Sequence, residues 1–195
     1  MASLVWTDYR LAVLFTVLTP LIIFGWAFFT QSDAINRLMV IYWRVASLLA
    51  ISVYILIGAL PIGFVSGWLA RIIIPVGLWY WIDLNEDIRD QPNGPLKTLT
   101  TTWRWAVTFY CILSAIVTIP TLLRCGFTDS KQLVGNPTCS IWLQPPWQYR
   151  EIFHGSTKAD FLGILGLIGL VIYGVYLAYF IFFRLSKKKR SALGQ

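Results

Sequence analysis

A chain of 195 residues, 57% of them hydrophobic and only 13% charged, has too little polar surface for a water-soluble domain, where those shares run at about 45–50% and about 25%. Its net charge of +7 is not laid out as a nucleic-acid footprint, because five of the 16 basic residues fall between Arg184 and Arg190, directly after an apolar run. Composition thus excludes a soluble domain and argues against nucleic acid; it makes the lipid bilayer the first partner, with the basic cluster beside an anionic cytoplasmic leaflet.

Leu11 to Thr30 is a run of 20 residues without a charge, enough to cross a hydrocarbon core of ~30 Å. Pro20 in its middle is tolerable in a membrane helix. The run is long for a signal peptide and no small-residue cleavage site follows, so it reads as a retained helix, with a signal anchor as the lesser alternative. Leu38 to Ile82 covers 45 residues with two charges, Arg44 and Arg71. One helix of that length is too long for a bilayer, and Pro61 and Gly63 supply a turn, so two spans near 39–60 and 62–82 are expected. The alternative makes 62–82 re-entrant or interfacial and leaves four spans. Trp105 to Leu123 and Phe161 to Phe183 are further uncharged runs, of 19 and 23 residues. The expected fold is therefore all-α: one integral membrane domain over 1–195, a transmembrane bundle with spans near 11–30, 39–60, 62–82, 105–123 and 161–183.

Between the spans lie a polar loop at 83–104, flanked by Trp79, Trp81, Trp103 and Trp105 as interfacial aromatics, and a second at 124–160. The basic tail is 184–195. With five spans and the tail cytoplasmic, Arg37, Arg44, Arg89, Lys97, Arg104 and the five tail residues are inside, ten against the five outside: Arg10, Arg124, Lys131, Arg150 and Lys158. With four spans the ratio is about nine to six. Both arrangements keep the C-terminus and the 83–104 loop cytoplasmic; the side of the N-terminus differs.

Five features carry candidate chemistry. Asp83, Glu86, Asp87 and Asp90 follow an i, i+3, i+4, i+7 spacing, which gathers them on one face of a helix. Such a face can be a solvated surface, dock a partner, or hold Mg²⁺ against a diphosphate; the last use needs a second acidic motif, which is absent. Arg71 falls near the middle of the third expected span, where a charge is costly unless paired. No acid lies within the uncharged runs, which leaves backbone carbonyls, a lipid phosphate or a protein partner as counterparts, or an interfacial position for the segment. Arg44, nearer a span end, is expected to snorkel. Cys125 and Cys139 share one loop on the expected oxidising side; a structural disulfide, two free thiols and a redox pair are the alternatives. His154 is the only histidine, so a bis-histidine haem within the bilayer is excluded, and no metal or other cofactor is expected. Ala59, Gly63 and Gly67, then Gly163 and Gly166, are small residues that let membrane helices pack closely. Walker A, GxGxxG, serine-elbow and HExxH motifs are absent.

Several segments carry a resemblance: Leu162-Gly163-Ile164-Leu165-Gly166, Tyr173 to Tyr179, Phe183-Arg184-Leu185-Ser186-Lys187 and Arg190-Ser191-Ala192; Trp79-Tyr80-Trp81-Ile82-Asp83-Leu84-Asn85 followed by Trp103-Arg104-Trp105; and Cys139-Ser140-Ile141-Trp142 ahead of His154. Together they resemble an uncharacterised cyanobacterial integral membrane protein family, domain of unknown function 3177, over essentially the whole chain. The resemblance brings no active site. It implies a thylakoid or plasma membrane of a photosynthetic bacterium. The expected role is a non-enzymatic accessory or assembly factor of a membrane complex with a protein partner; a small transporter or channel component and a lipid- or isoprenoid-modifying enzyme using the 83–90 face are the alternatives.

Overall fold

The structure is a computed structural model that describes residues 2–185, so the basic cluster expected from Arg184 to Arg190, apart from Arg184 itself, lies outside the described residues. Helix α1 (Ala2–Val13) continues through a π-helical turn, Leu14–Leu18, into α2 (Thr19–Phe29). Then follow α3 (Asp33–Ile57), α4 (Ile62–Trp79), α5 (Ile82–Asp90), α6 (Pro95–Cys125), α7 (Ser130–Gly135), α8 (Pro137–Phe153) and α9 (Ala159–Tyr179), the last running on into a second π-helical turn. Five helical segments are long and apolar enough to cross a membrane: Ala2–Phe29, Asp33–Ile57, Ile62–Trp79, Pro95–Cys125 and Ala159–Phe183. The segment after Pro61 is thus a span by length and composition, which makes five rather than four.

Proline explains the π-helical turn in the first span. Pro20 has no N–H to offer, so carbonyls in the turn before it lack an intrahelical donor. Neighbouring helices fill the gap: the Tyr42 hydroxyl of α3 donates to the Thr16 carbonyl at 2.6 Å, and the Trp103 indole N–H of α6 donates to the Phe15 carbonyl at 2.8 Å. In hydrocarbon no water would serve these groups, so the two bonds also dock the first span onto the third and sixth helices. Around them lies the largest core cluster, with Ile23, Ile35, Leu38, Leu78, Leu84, Ile88 and Val107 all nearly or fully buried.

Helix α3 is the centre of the bundle, and glycine sets how closely its neighbours approach. On one side α4 lays Gly63 against Leu56 and Ile55, Gly67 against Ser52, and Gly77 against Val45. On the other side α9 lays Gly163 against Gly58 and Gly166 against the Ile55 backbone. A Cβ at Gly166 would stand 2.7 Å from the Ile55 nitrogen, a backbone atom that cannot swing aside. Gly166→Leu is therefore expected to lift α9 off α3 and lower stability by about 1–3 kcal/mol or more, whereas Gly174→Leu, where nothing lies within 4 Å, leaves the thermal midpoint unchanged. Ala59 corrects the small-residue reading. It is not on a helix but in the turn between α3 and α4, with φ 51°.

Three boundaries differ from the expectation. Helix α6 starts at Pro95, the proline occupying the first turn where its missing N–H costs nothing, so the 83–104 loop shrinks to a short helix and a brief link. The loop expected over 124–160 contains α7 and α8; the Asn136 side chain caps α8 by accepting from the Thr138 N–H at 2.9 Å. The first span begins at Ala2, ahead of the uncharged run, and so takes in Asp8 and Arg10.

Candidate functional site: charged groups inside the bundle

Arg71 has its counterpart within the chain. Its Nη2 lies 2.9 Å from Oδ2 of Asp8 on α1, both side chains only 14% exposed. Asp8 is further held by α6: the Tyr110 hydroxyl is 3.0 Å from Oδ1 and also from the Asp8 carbonyl, and the Ser114 hydroxyl donates to Oδ1 at 2.6 Å. Arg71 Nη1 donates to the Gly67 carbonyl at 3.3 Å. This corrects the expectation that Arg71 must look to backbone, lipid or another protein; the missing acid lies three residues upstream of the uncharged run. Three spans, the first, the third and the fourth, meet at one ion pair.

Beside the pair is a cavity of about 50 Å³ lined by Tyr9, Trp68, Arg71, Thr118, Thr121 and Trp142 among others. The Tyr9 hydroxyl and Arg71 Nε are buried and have no hydrogen-bond partner among the described residues. The cavity has room for water-sized molecules, and Tyr9 and Arg71 are among the residues that line it.

A second buried arginine serves the joint between α4 and α5. Helix α4 stops at Trp79 and the chain turns through Tyr80 and Trp81, so the last carbonyls of α4 lose their intrahelical donors. Arg104 of α6, 3% exposed, donates through Nη2 to the Leu78 carbonyl at 2.6 Å and to Asn85 Oδ1. Asn85 in turn donates to the Trp79 carbonyl at 3.0 Å. The guanidinium lies 4.0 Å from the centre of the Trp79 ring, a cation–π contact strengthened by burial. No carboxylate among the described residues is within ion-pair distance of Arg104.

Helix α5 carries the four acids of the sequence reading. It turns Leu84 and Ile88 into the core and leaves Glu86, Asp87 and Asp90 exposed. Asp87 accepts from Arg37 at 2.6 Å, and Asp90 lies 3.6 Å from Arg89. The structure does not bring this face together with Arg71, which sits with Asp8 and α6. Among the described residues no three His, Cys, Asp or Glu side chains are grouped to hold a metal ion.

At the other end of the bundle, Cys125 at the end of α6 and Cys139 on α8 are joined, with S–S 2.02 Å. Around them Leu133, Leu143, Leu56, Phe64 and Trp147 form a separate apolar cluster, and the Trp147 indole N–H reaches the Ile57 carbonyl at 3.3 Å. His154 shares a 3.0 Å hydrogen bond with the Tyr54 hydroxyl of α3. Burial, and then the neighbouring Tyr54, push the Tyr149 phenol above its ordinary value. The bridge closes a separation of 14 residues. Cys139→Ser is expected to lower stability by on the order of 3 kcal/mol, read as a drop in thermal midpoint that reducing agent reproduces in the wild-type protein.

The sequence reading missed Asp8, Tyr110, Ser114 and Arg104. Asp8 and Arg104 each stand at the border of an uncharged run, where a charge reads as the end of a span. No curated protein and no solved structure matches the chain. One family model does, over residues 2–193, and the chain belongs to that family, the proteins of unknown function DUF3177.

Proposed function

We propose that the protein is a non-enzymatic accessory or assembly factor of a larger membrane complex. The observation that carries this reading is helix α5, whose inner face is fixed to the core by Leu84, Ile88 and the Arg104–Asn85 contact while its acidic face projects from the bundle. That is a rigidly mounted, negatively charged surface suited to a basic protein surface. The intramembrane charge of Arg71 is matched by Asp8, so holding helices together accounts for it without a solute. In this reading the C-terminus and α5 face the cytoplasm, the disulfide-bonded cap faces a lumen or periplasm, and the membrane is the thylakoid or plasma membrane of a cyanobacterium.

The test is native electrophoresis and mass spectrometry of gently solubilised membranes carrying a C-terminal tag. Co-migration with a large complex, lost in Glu86→Lys/Asp90→Lys, supports the reading. Migration of the wild-type chain alone under the mildest conditions overturns it. The second reading, a small transporter or channel component, draws on the cavity beside Arg71. It expects a solute flux lost on deletion and reduced by Tyr9→Phe, which removes only the unpartnered hydroxyl; fluxes unchanged by deletion rule it out.

A further inference from the structure

A groove of about 280 Å³ runs between α3, α4 and α9, with the Tyr80–Trp81 turn at one end. Arg44, Gly77, Trp81, Tyr173, Tyr176 and Phe180 are among its lining residues. Its walls are almost wholly hydrocarbon and aromatic, and Arg44 is the one charged residue among those that line it. Arg44 is exposed, and its guanidinium has no acid or hydrogen-bond partner among the described residues. An unpaired cation beside an apolar groove on a membrane bundle calls for a ligand with an anionic acceptor and a long apolar body.

We propose that this groove binds one anionic phospholipid, its phosphate on Arg44 and an acyl chain along Tyr176 and Tyr173. Side chains on a helix lean toward its N-terminus, so Arg44 leans toward the end of the bundle where α5 lies and where Phe180 and Ile181 close the groove. Gly77 lets α4 approach α3 closely beside the groove: a Cβ there would stand 3.0 Å from Val45 Cγ2. The Tyr173 hydroxyl is 3.5 Å from the Val45 carbonyl, tying the wall of α9 to α3. A zwitterionic lipid offers the same chain but brings its own cation to Arg44, so the site discriminates by charge.

The test uses the full-length protein in detergent micelles doped with equal amounts of phosphatidylglycerol and phosphatidylcholine, read by native mass spectrometry. One phosphatidylglycerol per chain is expected to survive activation that strips phosphatidylcholine. Arg44→Gln, a change at an exposed position that leaves the fold intact, lowers its retention by about five- to tenfold; Arg44→Lys keeps most of it. The cationic tail is controlled for by Lys187→Gln/Lys188→Gln/Lys189→Gln, which is expected to leave the retained lipid in place. Equal retention of the two lipids, retention unchanged in Arg44→Gln, or a preference that disappears only with the tail lysines each overturns the proposal. None of these outcomes depends on a protein partner, so the proposal stands or falls apart from the accessory-factor reading.

Discussion

Asp8→Ala destabilises the detergent-solubilised protein by about 3–5 kcal/mol, the cost of leaving one member of a buried ion pair alone. Arg71 would keep a single bond, to the Gly67 carbonyl, and Tyr110 and Ser114 would lose their common acceptor. Arg71→Ala is expected to cost a similar amount, since it strands the Asp8 carboxylate. The pair is not equivalent to the sum of its members. In Asp8→Leu/Arg71→Met both charges go and apolar side chains take their places, so the double variant is expected to lie within about 1–2 kcal/mol of wild type. Unfolding curves for wild type, the double variant and its own singles, Asp8→Leu and Arg71→Met, give the coupling directly. Single and double losses that simply add would mean that the two side chains do not act as a unit.

Arg104→Ala is expected to cost about 3–5 kcal/mol, since two charge-assisted hydrogen bonds disappear at once. The Leu78 carbonyl and Asn85 Oδ1 are left without that donor at a helix joint that packs into the main core. The effect should be local before it is global. Amide exchange in residues 78–88 would rise well above that in α3, and labelling of a cysteine placed at Glu86 would quicken. Arg104→Lys recovers part of the loss, because an ammonium reaches one acceptor but lacks the planar fork that serves two. Unchanged exchange at the joint in Arg104→Ala would sink this account of how α5 is held.

The spans were legible because each apolar run exceeds what a soluble core helix needs, and Pro61 with Gly63 marked the one turn inside a long run. The acidic face was legible from the spacing of Asp83, Glu86, Asp87 and Asp90, since a 3.6-residue period is a local property. Asp8 was not legible as a partner for Arg71. The two are 63 positions apart, and nothing in a linear reading states which helix faces which. A signal did exist: an acid just ahead of one apolar run, Asp8, and a tyrosine inside another, Tyr110, in a chain whose mid-span arginine lacked a counter-ion. Helix α8 was hidden by Pro145 and Pro146, which argue against a helix interior, although Asn136-Pro137 is a standard start. The turn at Ala59 was hidden by its neighbour: Gly58 would be expected to take the left-handed conformation, yet it keeps φ −75° while Ala59 takes the positive value.

The separation of Asp8 from Arg71 also has a meaning in time. During synthesis at roughly 5–20 residues per second, Asp8 is added roughly 3–13 seconds before position 71. Over that interval its carboxylate has no arginine to answer it, and Tyr110 and Ser114 are later still. The uncharged run that follows Asp8 is long enough to cross the bilayer with the carboxylate near one interface. The first span is thus expected to cross early and dock late, once α4 and α6 bring the groups that hold Asp8.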